Sequence, residues 1–262
     1  MVIKQIEAIC RDFLWHGKES ESRPAMVAWD KVYRAEKQGG LGIKNLQIWN
    51  CAAIANLAWR KICQIKTLMK DCIWAQNVQY SINSGYSWLL PDTGIVDWHS
   101  WHLNRWVLPK HRFICWLIVQ QRLLTQDRLM NMGIAQHNSC YLCGIMPEDH
   151  KHLFFACVYS ATCCRLVSEW CSFQIPFANC IQWWIALRSR TLTQKKALGI
   201  IVSSLMYHIW MCRNKSRVEL FLLRPEKLVE QVKCDVVNRL KNCQIKCQNV
   251  CTLAWLNVIR SN

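Results

Sequence analysis

Near the amino terminus, Ile3, Ile6, Cys10, Phe13 and Leu14 recur largely at three- and four-residue steps. That spacing places them on one face of a helix, which His16-Gly17 should end. A polar loop runs to Pro24. Beyond it, Gly39-Gly40-Leu41-Gly42 puts three glycines in four positions, a pattern for a tight turn and not for a helix. Leu46, Trp49, Ala53, Leu57 and Lys61 then mark the rows of a long helix from about Leu46 to Lys66, with Asn45 as its cap.

Residues 67–97 lose this rhythm: Ser84-Gly85, Pro91-Asp92 and Thr93-Gly94 break them up, and a linker is expected there. Three tryptophans stand between Trp98 and Trp106, and Pro109-Lys110-His111-Arg112 leads into the apolar run Phe113 to Val119, which reads as a buried helix. Two long helices should follow Lys195. The first holds Leu198, Ile201, Val202, Leu205, Ile209 and Cys212, the second Leu228, Val232, Val236 and Leu240, with Pro225 at the first helical position, where its missing N–H costs nothing. The expected organisation is a segment 1–66, a linker 67–97, a domain 98–170 and a helical region 171–262. The fold class is mainly α, with helical segments around a small zinc-knuckle-like treble of loop and helix.

Composition sharpens this picture. Of 262 residues, 52% are hydrophobic and only 9 are Gly and 6 Pro, too apolar for a disordered tail and too poor in glycine for a collagenous chain. The net charge of +16 points to a polyanionic partner. Half of it lies between Lys195 and Arg260, where 12 basic residues face 4 acidic ones (12 − 4 = +8). The 17 cysteines are odd in number and irregularly spaced, and Lys4, Glu7, Arg11 and Asp12 interrupt any apolar signal core. Mostly free thiols in an intracellular setting, nuclear or cytoplasmic, are therefore expected. The most apolar stretch, Ala197 to Cys212, is shorter than the roughly 20 residues that span a bilayer, so no membrane anchor is expected.

Chemistry concentrates in Cys140-Tyr141-Leu142-Cys143 followed by His152 and Cys157, a C-x2-C-x8-H-x4-C pattern. Two thiolates three residues apart can turn around one ion, and a histidine and a thiolate five apart can close the tetrahedron. Three thiolates and one imidazole favour zinc, as a single structural Zn2+. In a chain with this many cysteines, chance alone supplies roughly one C-x2-C pair, so the pair by itself proves little. Gly144, which permits a tight turn, and the apolar Leu153-Phe154-Phe155 after His152 strengthen the reading. His150 is a rival ligand at the wider spacing. Cys163-Cys164 and Cys243/Cys247 read as buried small hydrophobes or exposed thiols.

Pro109-Lys110-His111-Arg112-Phe113-Ile114-Cys115-Trp116-Leu117, then Arg122 to Leu129, then Cys140 to Gly144 with Glu148 and His152 to Cys157 together resemble a known family. It is the zinc-binding domain that follows reverse transcriptase in plant LINE-type (non-LTR) retrotransposons. Upstream, Ala28-Trp29-Asp30-Lys31-Val32 with Gly39 to Ile43 and Trp49-Asn50 is similar to the segment joining polymerase to zinc domain in those proteins. Downstream, Ile209-Trp210 with Arg213-Asn214 is similar to their carboxy-terminal helical region. The resemblance implies Cys140, Cys143, His152 and Cys157 as zinc ligands.

The family is associated with RNA-directed DNA polymerase, whose two metal ions need clustered carboxylates. This sequence has no adjacent Asp-Asp, and no phosphate loop, H-E-x-x-H or G-x-S-x-G motif. No enzymatic activity is expected. Glu148-Asp149 reads as a solvated loop tip, and the pairs His111/Cys115 and His208/Cys212 as buried packing. Arg105, Lys110, Arg112, Arg122 and Arg128 lie among Trp101, Trp106 and Trp116, the mixture of cations and stacking faces that suits RNA or single-stranded DNA. The competing expectation is a decayed or domesticated retroelement remnant that binds a protein through exposed Ile3, Ile6, Phe13, Leu57 and Trp59.

Overall fold

The computed structural model describes residues 2–16, 26–68, 81–90, 94, 96, 106–176, 190–243 and 250–261. Two compact units divide the chain, Met1–His99 and Ser100–Asn262. In the first, α1 (Val2–His16) packs on α3 (Leu46–Leu68), and Gln47 Nε2 donates to Glu7 Oε2 at 3.1 Å. The short α2 (Trp29–Val32) precedes a 3-10 turn over Glu36–Gln38. The glycines after it are a structural turn: Gly39 and Gly42 adopt φ of 84° and 69°, and a Cβ on Gly40 would stand 2.1 Å from the Arg34 carbonyl oxygen. Asn45 caps α3, its Oδ1 accepting from the Ile48 N–H at 3.0 Å.

The expected linker 67–97 contains a packed helix, α4 (Ile82–Leu89). Its anchor is Tyr86, whose hydroxyl accepts from the Asn45 N–H at 3.0 Å and whose ring meets Trp49 edge-on at 5.5 Å. Lys44 Nζ sits 4.3 Å from the centre of the same ring. One buried aromatic with a satisfied hydroxyl therefore holds residues whose local composition favours turns.

The second unit is built from α5 (Pro109–Val119), α6 (Gln126–Asn131), α7 (His150–Phe155), α8 (Val158–Cys171), α9 (Leu192–Glu219), α10 (Pro225–Asn242) and α11 (Val250–Ser261). Its centre is α9, which contacts α5, α8 and α10. The start of α9 is fixed by a capping box in which Thr191 Oγ1 accepts from the Gln194 N–H and Gln194 Oε1 from the Thr191 N–H. Pro225 opens α10 at its first helical position. Leu198, Ile201, Val202, Leu205, Ile209 and Cys212 of α9 are buried, as are Leu228, Val232, Val236 and Leu240 of α10. Each large aliphatic side chain so buried contributes about 1.5–3 kcal/mol.

Trp116 belongs to this core. It is fully buried on α5 and stacks on Phe113 with ring centres 6.1 Å apart, so it is no platform for a base. Among the described residues no strand forms, and the one isolated bridge pairs Ser139 with Pro147. The molecule is mainly α, as its sequence predicts. No described helix is long and apolar enough to cross a membrane. Among the cysteines whose side chains are described none forms a disulfide, and Cys163, Cys164 and Cys243 are buried; Cys247 lies outside the described residues.

Candidate metal centre

The Ser139–Pro147 bridge closes a hairpin whose tip carries two cysteines. Cys140 N–H donates to the Met146 carbonyl at 2.9 Å, and Gly144 N–H returns to the Cys140 carbonyl at 2.8 Å. Gly144 makes that return with φ 69°, a left-handed conformation that favours glycine. The turn also aims the Leu142 N–H at Cys140 Sγ, 3.4 Å away. On the opposite side, Asp149 Oδ1 caps α7 by accepting from the His152 N–H at 2.5 Å. Cys157 is the N-cap residue of α8, where the nearby Ser160 and Tyr159 N–H groups at the helix start favour its thiolate.

These elements bring the donor atoms of Cys140, Cys143, His152 and Cys157 within 4.8 Å of one another. Cys140 Sγ lies 4.0 Å from Cys157 Sγ, and Cys143 Sγ lies 3.3 Å from His152 Nε2. In a tetrahedron with Zn–S bonds of about 2.3 Å, two sulfurs stand about 3.8 Å apart, so the arrangement is near the dimensions of such a site. The chemistry also fits: N–H groups at Cys140 and Cys157 stabilise the thiolates that a soft, tetrahedral ion needs. When protonated, Cys140 shares its hydrogen with Cys157, which draws Cys157 down to about 5 while Cys140 is pushed up. His150 points elsewhere. Its Nδ1 lies 3.4 Å from Thr125 Oγ1, and burial lowers its imidazole to about 4.

Glu148 corrects the expectation of a solvated tip. Asp149 is exposed, but the Glu148 side chain is 0% exposed and pairs with Arg213 of α9, itself 1% exposed, at 2.6 Å. Arg213 Nε also donates to Glu148 Oε1 at 2.9 Å, and that oxygen accepts from the Gln126 N–H at the same distance. Gln126 Oε1 accepts in turn from Arg213 Nη2 at 3.3 Å. The guanidinium lies beside the rings of Trp210 and Tyr141, and Ser216 Oγ donates to the Tyr141 carbonyl at 3.0 Å. The hairpin is thus bolted to α9 by a buried charge network. A charged residue just after the apolar run of α9 is the signal for it in the sequence.

Among the cationic residues expected to touch nucleic acid, Arg105 lies outside the described residues, as does Trp101. Lys110 is exposed at the start of α5, with Nζ 4.9 Å from the Tyr207 ring centre. Arg112, Arg122 and Arg128 are half-buried, and Arg128 Nη1 donates to the Gln121 carbonyl at 3.2 Å. Trp106 is half-buried, with Lys196 Nζ 5.2 Å from its ring centre.

Residues 80–163 match the family described as zinc-binding in reverse transcriptase. All four donors lie within this stretch, which is similar to the zinc-binding domain of reverse transcriptases. The chain is similar to the "Putative ribonuclease H protein" of Arabidopsis thaliana, 27% identical over 94 residues, a match covering 34% of this chain and 14% of that protein. It is also similar to an uncharacterized mitochondrial protein of the same plant, 28% identical over 82 residues, covering 31% of this chain and 53% of the relative. The chain thus spans only part of either relative. No solved structure matches it significantly.

Proposed function

We propose that the chain is a non-catalytic, zinc-stabilised nucleic-acid-binding module derived from the carboxy-terminal region of a LINE-type retrotransposon reverse transcriptase. The observation that carries this reading is the closed Cys3His donor set in a chain of net charge +16. Cys140, Cys143, His152 and Cys157 would hold one Zn2+, which supplies a structural cross-link between the hairpin and the start of α8. Three sulfurs and an imidazole leave no open position for water, whereas hydrolytic zinc keeps one. The Glu148–Arg213 pair then makes α9 a rigid extension of the knuckle. Its exposed neighbour Lys110, with Arg112 and Arg122, supports contact with the phosphates of RNA or single-stranded DNA.

Binding of a fluorescent single-stranded oligonucleotide at several salt concentrations tests this function. Affinity should fall linearly with log salt, as counterion release demands. A second reading has its own observation. On the first unit, Ile6, Phe13 and Leu57 are exposed, Phe13 by 67% and Leu57 by 63%, while Ile3 is half-buried and the Trp59 side chain lies outside the described residues. That apolar surface favours a protein partner or self-association. Association that persists at high salt, without nucleic-acid affinity, would favour this second reading.

A further inference from the structure

A second cluster of donors joins three helices of the same unit. His111 comes from the first turn of α5, His208 from the middle of α9 and Asp235 from the middle of α10, and their donor atoms lie within 4.8 Å of one another. Both imidazoles present Nε2 to the same carboxylate oxygen. Asp235 Oδ2 is 3.0 Å from His208 Nε2 and 3.5 Å from His111 Nε2. His111 is 1% exposed, and its Nε2 has no hydrogen-bond partner.

A buried imidazole nitrogen without a hydrogen bond is costly as a purely structural feature. Asp235 Oδ2 satisfies His208 Nε2 by a hydrogen bond at 3.0 Å and leaves His111 Nε2 without one, whereas a shared cation would satisfy all three donor atoms at once. With metal–nitrogen and metal–oxygen bonds of about 2.0–2.1 Å, tetrahedral donors stand about 3.3 Å apart, between the two values observed. We infer that His111, His208 and Asp235 form a second metal site, for a divalent transition ion of the zinc class, with a fourth position left to water or a ligand. Two imidazoles and a carboxylate are a harder donor set than the Cys3His cluster, and three protein ligands leave a position open.

The local electrostatics are mixed. Burial lowers both imidazoles, keeping them neutral and able to ligate near pH 7, and Asp235 brings a negative charge. Lys110 opposes a cation, but its Nζ is turned to the Tyr207 ring, at 4.9 Å. The His111 and Tyr207 rings meet at a tilt of 35° with centres 4.4 Å apart, which orients the imidazole. This site shares no residue with the Cys3His cluster and stands whether or not that cluster holds zinc.

Cobalt(II) titration of the chelator-treated full chain distinguishes the two sites. Thiolate-to-cobalt charge transfer in the near ultraviolet reports the Cys3His cluster, whereas ligation by nitrogen and oxygen gives only weak visible bands. We expect two equivalents in the parent, one of them binding without added charge transfer, and the loss of that one in Asp235→Asn. His208→Gln provides the same test should Asp235→Asn misfold, as judged by circular dichroism. The inference is overturned if no equivalent binds without charge transfer, or if that equivalent survives in a folded variant. Absence of the charge-transfer band alone would refute the Cys3His reading and leave this one standing.

Discussion

Arg213 Nη2 reaches Glu148 Oε1 at 2.6 Å across 65 residues of sequence, and both side chains are sealed from solvent. Removing one partner strands the other charge. Such a break costs about 3–5 kcal/mol, whereas replacing a buried pair together by apolar groups can be nearly neutral. Urea unfolding of Glu148→Ala and Arg213→Met should each show a loss of that size, and the double variant a loss well below their sum. Additive losses would mean that the two residues act independently.

Substituting a donor in the hairpin should have a different signature. Structural zinc supplies about 10–16 kcal/mol of apparent binding energy in small metal folds, and the turn around Gly144 has few other constraints. In zinc-containing buffer, Cys143→Ser should lower Tm and abolish the further drop that a chelator causes in the parent. Unchanged thermal unfolding and circular dichroism would remove Cys143 from the ligand set.

The phosphate reading makes a residue-level forecast. Lys110→Ala and Arg122→Ala should each reduce the slope of log affinity against log salt by about one, with little change in stability. Trp116→Ala should instead destabilise the protein by about 3–5 kcal/mol, because the ring is core and not a stacking face. Unchanged salt slopes in both cationic variants would place the phosphate contacts elsewhere.

In chelator-treated protein, acid should weaken the fold through His111. Burial holds its imidazole down to about 4, against 6.5 when free; His208 and Lys110 reinforce the shift and Asp235 opposes it. Between those pH values the unfolded chain binds a proton that the native state refuses, so this contribution is complete above about pH 6.5 and is lost as pH falls towards 4. The stability advantage of the parent over His111→Gln should shrink there by up to about 1.4 kcal/mol per pH unit. A difference that stays flat from pH 7 to 4 would contradict it.

The helices were legible because their signals are local. Ile3 to Leu14, Leu46 to Lys61 and Leu228 to Leu240 carry the three- and four-residue period, and Asn45 and Pro225 mark helix starts by their own chemistry. The four donors the hairpin gathers are likewise a spacing pattern. What escaped depends on residues far apart in sequence. Glu148 is indistinguishable from a loop-tip acid until Arg213 arrives on α9, and Tyr86 turns a turn-rich stretch into a helix only by meeting Asn45 and Trp49. His111, His208 and Asp235 are unremarkable singly and meet only because α5, α9 and α10 pack together. Trp116 stands among cations in the sequence, but it belongs to the apolar run 113–119 that reads as a buried helix, and there it is core.

The central claim is that Cys140, Cys143, His152 and Cys157 hold one zinc ion. Elemental analysis of zinc per chain in the parent, His152→Ala and His150→Ala, purified side by side, tests it most directly. The account predicts one zinc fewer in His152→Ala than in the parent and no loss in His150→Ala. Equal zinc in the parent and His152→Ala, or a loss in His150→Ala, would contradict it.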